Sequence, residues 1–240
     1  KLDSVSSSFC LAKWYQVTIH LQNGHTHSCH HPGTHKVPLD ELVNNPTALH
    51  NTKFKKSRRK EMLEGIRPKE CQYCWNVEDS PGKNFSDRHI KSGAMWASPW
   101  FDEAVSKPWD DNPNPRYLEV SFGNVCNFKC MYCYPNISSQ WYEESKQYGP
   151  YPTSLGFGSL DHLDYKGTRP ILEREHNPYV EAFWKWWPDL YNSLHTFRIT
   201  GGEPLLNKNT FRVLNDINDN PRKELELAIN TNMCVPDKNF

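Results

Sequence analysis

Apolar and polar residues alternate at three places in the second half of the chain: residues 117–122 (YLEVSF), 196–200 (TFRIT) and 224–230 (ELELAIN). A period of two is the pattern of a half-buried strand. Between the first two runs lies an aromatic-rich helical stretch, 178–194, and between the last two lies 210–217, where Phe211, Leu214 and Ile217 fall roughly on one helical face. Strand and helix in alternation predict parallel βα units. Residues 145–177, rich in Gly, Pro, His and Asp, read as a long insertion with little regular structure.

The first hundred residues are patterned less clearly. Residues 14–21 (WYQVTIHL) are β-prone and lead to Asn23-Gly24, a hairpin turn pair, after which 25–31 is expected to return as a second strand. A short helix is expected over 57–64, with Gly65 to stop it and Pro68 beyond. Residues 107–116 (KPWDDNPNPR) gather three Pro with Asp and Asn, and predict a linker between a part at 1–106 and a part at 117–240.

Composition narrows the classes. The 240 residues carry 28 basic and 28 acidic side chains, so there is no net charge from which to build a polybasic surface for nucleic acid or membrane. No apolar run approaches the ~20 residues of a membrane helix. No membrane and no nucleic-acid partner is therefore expected. Only 37% of residues are apolar, but nine Trp, eleven Tyr and eleven Phe supply large rings for a core. The basic run 53–60 (KFKKSRRK), backed by Glu61, Glu64 and Glu70, reads as a solvated helix face. The stripe Phe183, Trp184, Trp186, Trp187 and Tyr191 reads as core. Seven of the eight Cys fall into two groups at metal-ligand spacings, the usage of a compartment where thiols stay reduced, which predicts a cytoplasmic location. The chain opens at Lys1 without Met or a secretion signal and ends at Asn239-Phe240 without a terminal element, as a piece of something longer would.

Directly after the first alternating strand stands GNVCNFKCMYCYP, with Cys126, Cys130 and Cys133 at C-x3-C-x2-C. Three thiolates on one loop can grip three irons of a cubane and leave the fourth open to another ligand, whereas four thiolates close the cluster. The alternative is zinc with a borrowed fourth ligand. Directly after the second strand comes Thr200-Gly201-Gly202-Glu203-Pro204. Two Gly let the backbone approach a ligand that a Cβ would push away, and Glu203 offers an acceptor to an ammonium group. The alternative here is a plain strand cap that starts a helix.

The cysteine triple, with Tyr132 just before its last member, followed in order by the Gly-Gly-Glu turn, resembles the radical S-adenosylmethionine (SAM) superfamily. The resemblance implies an α/β fold, the N-terminal part of a (β/α)6 barrel. It also implies a SAM-binding [4Fe-4S] cluster on Cys126, Cys130 and Cys133, with SAM contacts from Tyr132, Gly201, Gly202 and Glu203. Three further βα units at ~30 residues each would need about 90 more residues, so the barrel is expected to be C-terminally truncated. The third strand ends in Asn230-Thr231-Asn232-Met233, similar to the "TNG" turn of many relatives but with Met233 for Gly; an Asn-rich turn and a ligand role stay open. Cys234 is expected to be a buried or free thiol.

In the N-terminal part, thirteen residues separate Cys10 from Gly24, four separate Gly24 from Cys29, and a Cys71-x2-Cys74 pair follows. A hairpin turning at Gly24 would supply Cys10 and Cys29, and a loop after the short helix the other pair, closing a four-thiolate site. A zinc ribbon is the alternative, with His25, His27, His30, His31 and His35 as further donors. The spacing resembles the first half of the SPASM cysteine pattern, the twitch domain, here ahead of the barrel. It implies a small Cys-rich α+β domain over 1–106 with a second, auxiliary [4Fe-4S] cluster. Together the resemblances imply a redox enzyme that cleaves SAM reductively to a 5′-deoxyadenosyl radical and abstracts hydrogen. Its expected substrate is a peptide or protein, and its electron donor a flavodoxin or ferredoxin. The competing expectation is a zinc-stabilised binding module with structural cysteines and no catalysis.

Overall fold

The computed structural model describes residues 1–152, 156 and 158–236; Asn239 and Phe240 lie outside them. In chain order the strands are β1 (Gln16–His20), β2 (His25–His27), β3 (His35–Lys36), β4 (Tyr117–Ser121), β5 (Thr196–Thr200) and β6 (Glu226–Ile229). They form one six-stranded sheet in the order β3-β2-β1-β4-β5-β6, in an α/β fold. Before β4 come the helices α1 (Ala12–Tyr15), α2 (Leu39–Asn44), α3 (Lys53–Leu63), α4 (Gln72–Glu78), α5 (Asp87–Ser92) and α6 (Phe101–Ser106). Between β4 and β5 lie α7 (Ser139–Tyr148), α8 (Leu160–Lys166) and α9 (Pro178–Ser193), and between β5 and β6 lies α10 (Lys208–Asp219).

The alternating stretches became β4, β5 and β6, neighbours in the sheet with a helix in each crossover, the connection that parallel neighbours need. The N-terminal hairpin continues the same sheet, because β1 pairs with β4 and so covers the edge that β4 would otherwise expose. The chain divides into two compact units, one of residues 1–18, 26–118 and 182–196, the other of 19–25, 119–181 and the described residues from 197 on.

The first unit packs Phe9, Trp14, Tyr15, Met62, Trp75 and Phe101 into an aromatic core, which Cys71 and Cys74 join. Phe183, Trp186 and Trp187 on α9 are buried as well. Trp14 and Tyr15, expected in a strand, lie instead in the helical turn α1. The reason lies on α3. Thr52 caps this helix by accepting from Lys55 N at 3.1 Å, a contact worth about 1 kcal/mol, and starts it four residues earlier than the sequence predicts. Its inner face carries Lys55, Arg59 and Met62, all buried, so the basic run is not the solvated face its composition suggests.

The buried cations are tolerated because their donors are used. Lys55 Nζ donates to Gln16 O at 3.1 Å and to His50 Nδ1 at 2.6 Å. Arg59 donates to Lys13 O, Asp111 O and Asn51 Oδ1 at 3.1, 3.2 and 2.7 Å, and His50 Nε2 to Trp14 O at 2.7 Å. The carbonyls of Lys13 and Trp14 are thus satisfied by side chains, and need no neighbouring strand. The same Arg59–Asp111 bond, with Asn51 Nδ2 donating to Pro113 O at 3.2 Å, fastens residues 107–116 onto this unit.

In the second unit the stretch 145–177 is more regular than expected: α7 runs into it, and α8 is capped by Ser159 at its start and by the left-handed Gly167 at its end. Gly24 sits at φ +67°, and a Cβ there would fall 2.0 Å from the Tyr179 ring, so both conformation and space require glycine.

Candidate functional site

In the second unit, β4 runs out through Gly123 into the loop that carries Cys126, Cys130 and Cys133. The loop is held by the start of α7. Ser139 Oγ accepts from Cys126 N at 3.0 Å and donates to Cys126 O, Ser138 Oγ donates to Phe128 O at 2.9 Å, and Trp141 Nε1 donates to Cys130 O at 3.0 Å. The thiols themselves are half-buried, while Met131 and Tyr132 stand almost wholly in solvent. Burial and the neighbouring Cys130 and Cys126 raise the pKa of the Cys133 thiol, so the three sulfurs share one electrostatic neighbourhood. A hydrogen bond to Cys130 and the charges of Cys130 and Cys133 raise that of the Tyr132 hydroxyl.

The Gly-Gly-Glu turn closes on the segment that leads into this loop. A Cβ on Gly202 would lie 2.2 Å from Val125 O, and one on Gly201, at φ +118°, 2.5 Å from Ser121 Oγ. Glu203 N donates to Val125 O at 2.7 Å. The close approach that the two glycines permit is therefore made by the chain's own backbone at 123–125. Glu203 is 1% exposed, and its carboxylate accepts from Leu205 N at 2.9 Å, Thr231 Oγ1 at 2.7 Å and Asn232 N at 2.7 Å. It ties the turn after β5 to the turn after β6.

The turn after β6 reaches the cysteine loop in its own right. Asn232 Nδ2 donates to Asn127 Oδ1 at 2.9 Å, and Asn127 Nδ2 donates to Cys234 O. Met233, in the place of the glycine of the similar turns, adopts φ +57°, the left-handed conformation that glycine takes at no steric cost. Cys234 is exposed rather than buried. Sequence reading missed Asn127, Ser138, Ser139 and Trp141. Of these, only Ser138 carries a local signal, as a serine placed to cap α7.

In the first unit, Cys10, Cys29, Cys71 and Cys74 all line one cavity, together with Lys13 and Arg88. Cys71 and Cys74 sit at the cap and in the first turn of α4 rather than on a loop, and i, i+3 spacing at a helix start turns both sulfurs to one side. Burial pushes the Cys10 thiol up to about 11, with Cys29 adding to it. Burial pushes Cys71 up to about 12 and raises Cys74 too. Of the histidines, His31 reaches the cavity wall and holds Asp87 Oδ2 at 2.7 Å. His27 is turned onto the Cys29 carbonyl.

Among the described residues, no three His, Cys, Asp or Glu side chains draw together tightly enough to hold a metal ion. A zinc ion, with Zn–S of about 2.3 Å, would need sulfurs about 3.8 Å apart. A cubane is wider than an ion, and a set of thiol donors fits an iron–sulfur cluster as well as it fits zinc.

Comparison with known proteins finds a similarity for part of the chain. No family model matches it, and no solved structure matches it significantly. It is 31% identical over 117 residues to the GTP 3′,8-cyclase of Campylobacter jejuni subsp. doylei, a match covering 49% of this chain and 27% of that protein. To the GTP 3′,8-cyclase of Nautilia profundicola it is 28% identical over 116 residues, 48% of this chain and 27% of the relative. To that of Pasteurella multocida it is 29% identical over 116 residues, 48% and 26%. These relatives are radical SAM enzymes, and the chain spans about a quarter of their length. No helix among the described residues is long and apolar enough to cross a membrane.

Proposed function

We propose that this chain carries the radical-generating site of a radical SAM enzyme, on the 117–240 part, preceded by a twitch-like auxiliary iron–sulfur part at 1–106. The observation that carries the reading is the cysteine loop anchored on both sides, by α7 and by the turns after β5 and β6. Cys126, Cys130 and Cys133 would hold a [4Fe-4S] cluster with one open iron, and Tyr132 and the 201–203 turn would border the SAM bound there. When bound, that pair supplies reductive cleavage of SAM to a 5′-deoxyadenosyl radical that abstracts hydrogen. The chain's own residues hold the loop open to a ligand: Ser139, Trp141 and Asn127 fix its backbone, and the two glycines let it lie flat against β5.

Cys10, Cys29, Cys71 and Cys74 would close a second [4Fe-4S] cluster with no open iron. Similarity to radical SAM enzymes favours this over the zinc-stabilised binding module. The relatives' name gives a nucleotide, GTP, as their substrate, and a peptide substrate finds no support among them. A flavodoxin- or ferredoxin-type protein would deliver the electron, in a reducing compartment such as the cytoplasm.

Iron and acid-labile sulfide analysis of anaerobically purified protein tests the reading, with release of 5′-deoxyadenosine from SAM under reduction. Two clusters per chain and reductive cleavage are expected. Stoichiometric zinc without sulfide would instead establish the binding module.

A further inference from the structure

The wall of the four-cysteine cavity carries three cations, Lys13, Arg88 and Lys91, against one carboxylate, Asp87. The counter-ions of the first two stand outside the wall. Lys13 pairs with Glu70, and Arg88 with Glu78 at 2.9 Å and Asp3 at 3.1 Å, and none of these carboxylates lines the cavity. Lys13 combines a side chain 3% exposed with charge interactions that reach Cys10, Cys29 and Cys71. This buried ammonium is paired with Glu70 and lines the same cavity as the four thiols.

We propose that Lys13 is an electrostatic positioning residue for the metal centre of this cavity, its ammonium, oriented by Glu70, setting the reduction potential of a cluster on Cys10, Cys29, Cys71 and Cys74. This rests on the auxiliary-cluster reading above. A cluster held by four thiolates is net anionic and takes on a further negative charge with one electron. A fixed cation in a poorly solvated wall stabilises the more negative state more, so it raises the potential. Glu70 offsets part of that field from behind. Neutralising either partner then moves the potential in opposite directions, which loosened packing would not do.

The test uses the full chain with Cys126, Cys130 and Cys133 all changed to Ala, so that a single cluster is observed. EPR-monitored potentiometric titration with dithionite as reductant is run on this parent and on its Lys13→Met and Glu70→Gln variants, with iron and sulfide measured in each sample. Lys13→Met is expected to lower the midpoint and Glu70→Gln to raise it, each by about tenfold in the reduction equilibrium, about 59 mV for one electron. Midpoints that stay put, or that move the same way at parent-level iron content, overturn the role of Lys13 and leave the cluster reading standing. A parent without iron or sulfide overturns the cluster reading and this inference with it. If Lys13→Met loses its cluster, the sign of the Glu70→Gln shift decides.

Discussion

Cys71 and Cys74 sit 8% and 7% exposed in an aromatic core, whereas Cys126, Cys130 and Cys133 ride a loop whose Met131 and Tyr132 are 98% and 84% exposed. The buried group is shaped by packing, and its thiols resist ionisation because burial penalises the thiolate. Any metal bound there would displace protons and be linked to folding of the unit around it. The loop group, its thiols half-buried beside exposed neighbours, is shaped by hydrogen bonds from side chains distant in sequence, such as Ser139 and Asn232. Its ligands can be lost without opening a core. A closed, buried site suits electron storage or transfer, and an open one suits a reaction partner that must come and go.

The largest expected effect separates the two directly. Changing Cys126, Cys130 and Cys133 together to Ala should reduce SAM cleavage to background while leaving the unfolding free energy of the metal-free protein within about 0.5 kcal/mol of wild type. The Cys71→Ala, Cys74→Ala double variant should cost the metal-free protein about 1–2 kcal/mol in urea, because it opens space in a packed core. Equal stability losses in the two variants would erase the distinction.

Gly202→Ala comes next. The new Cβ meets backbone at Val125 O, which cannot swing aside as a side chain can, so a loss of about 1–3 kcal/mol is expected, with weakened cluster retention on the loop. Gly33→Ala, where nothing lies within 4 Å, is the matched control and should be nearly neutral. If Gly202→Ala behaves like the control, the turn does not press on the cysteine loop.

What the sequence made legible follows the range of the interactions involved. The strands at 117 and 196 show because each buries alternate residues and the period of two survives in the residue order, whereas the strand at 226 keeps the alternation in its sequence while burying no residue. The cysteine triple shows because its spacing lies within one loop. The inner face of α3 was hidden because Lys55 and Arg59 count as polar, although they hold the buried positions i and i+4 with Met62 at i+7. Helix α7 (SQWYEESKQY) was hidden because it buries only Tyr142 and shows no apolar stripe. The work of Asn127 and Glu203 depends on partners about a hundred and about thirty residues away, a pairing that no local pattern encodes.

Glu203 gives an effect of similar size that sharpens the same contrast. Read from sequence, its removal should weaken SAM binding alone; its three accepted hydrogen bonds predict a structural cost as well. Glu203→Ala strands Leu205 N, Thr231 Oγ1 and Asn232 N, and should cost about 2–3 kcal/mol, with Glu203→Gln costing roughly half because its amide oxygen still accepts. Hydrogen exchange at Asn232 and along 126–133 should quicken in both variants. Unchanged exchange in the loop would confine Glu203 to its own turn.

The smallest effect belongs to the buried unit and reads its electrostatics by pH. His50 donates from Nε2 to Trp14 O and accepts at Nδ1 from Lys55, beside the Arg59 guanidinium. A second proton would land on Nδ1, facing a cation, on a side chain wholly buried from solvent. Burial first, and then the charges of Lys55 and Arg59, hold the folded-state pKa of His50 well below its ordinary 6.5. The folded protein therefore binds fewer protons than the unfolded chain over this range. The stability His50 contributes is fully present above pH 6.5 and is lost as pH falls from 6.5 toward the lowered value, by up to ~1.4 kcal/mol per pH unit. His50→Gln keeps a donor for Trp14 O and an acceptor for Lys55 but cannot titrate. Urea unfolding of the metal-free protein between pH 6.5 and about 5 should thus show a slope shallower by up to one proton in the variant. The same comparison made in the triple Cys→Ala protein should give the same difference, because the exposed loop contributes nothing to this nest of cations. An identical slope in wild type and His50→Gln would mean that the folded protein accepts the proton, and that the first unit is less tightly closed around α3 than its buried cations indicate.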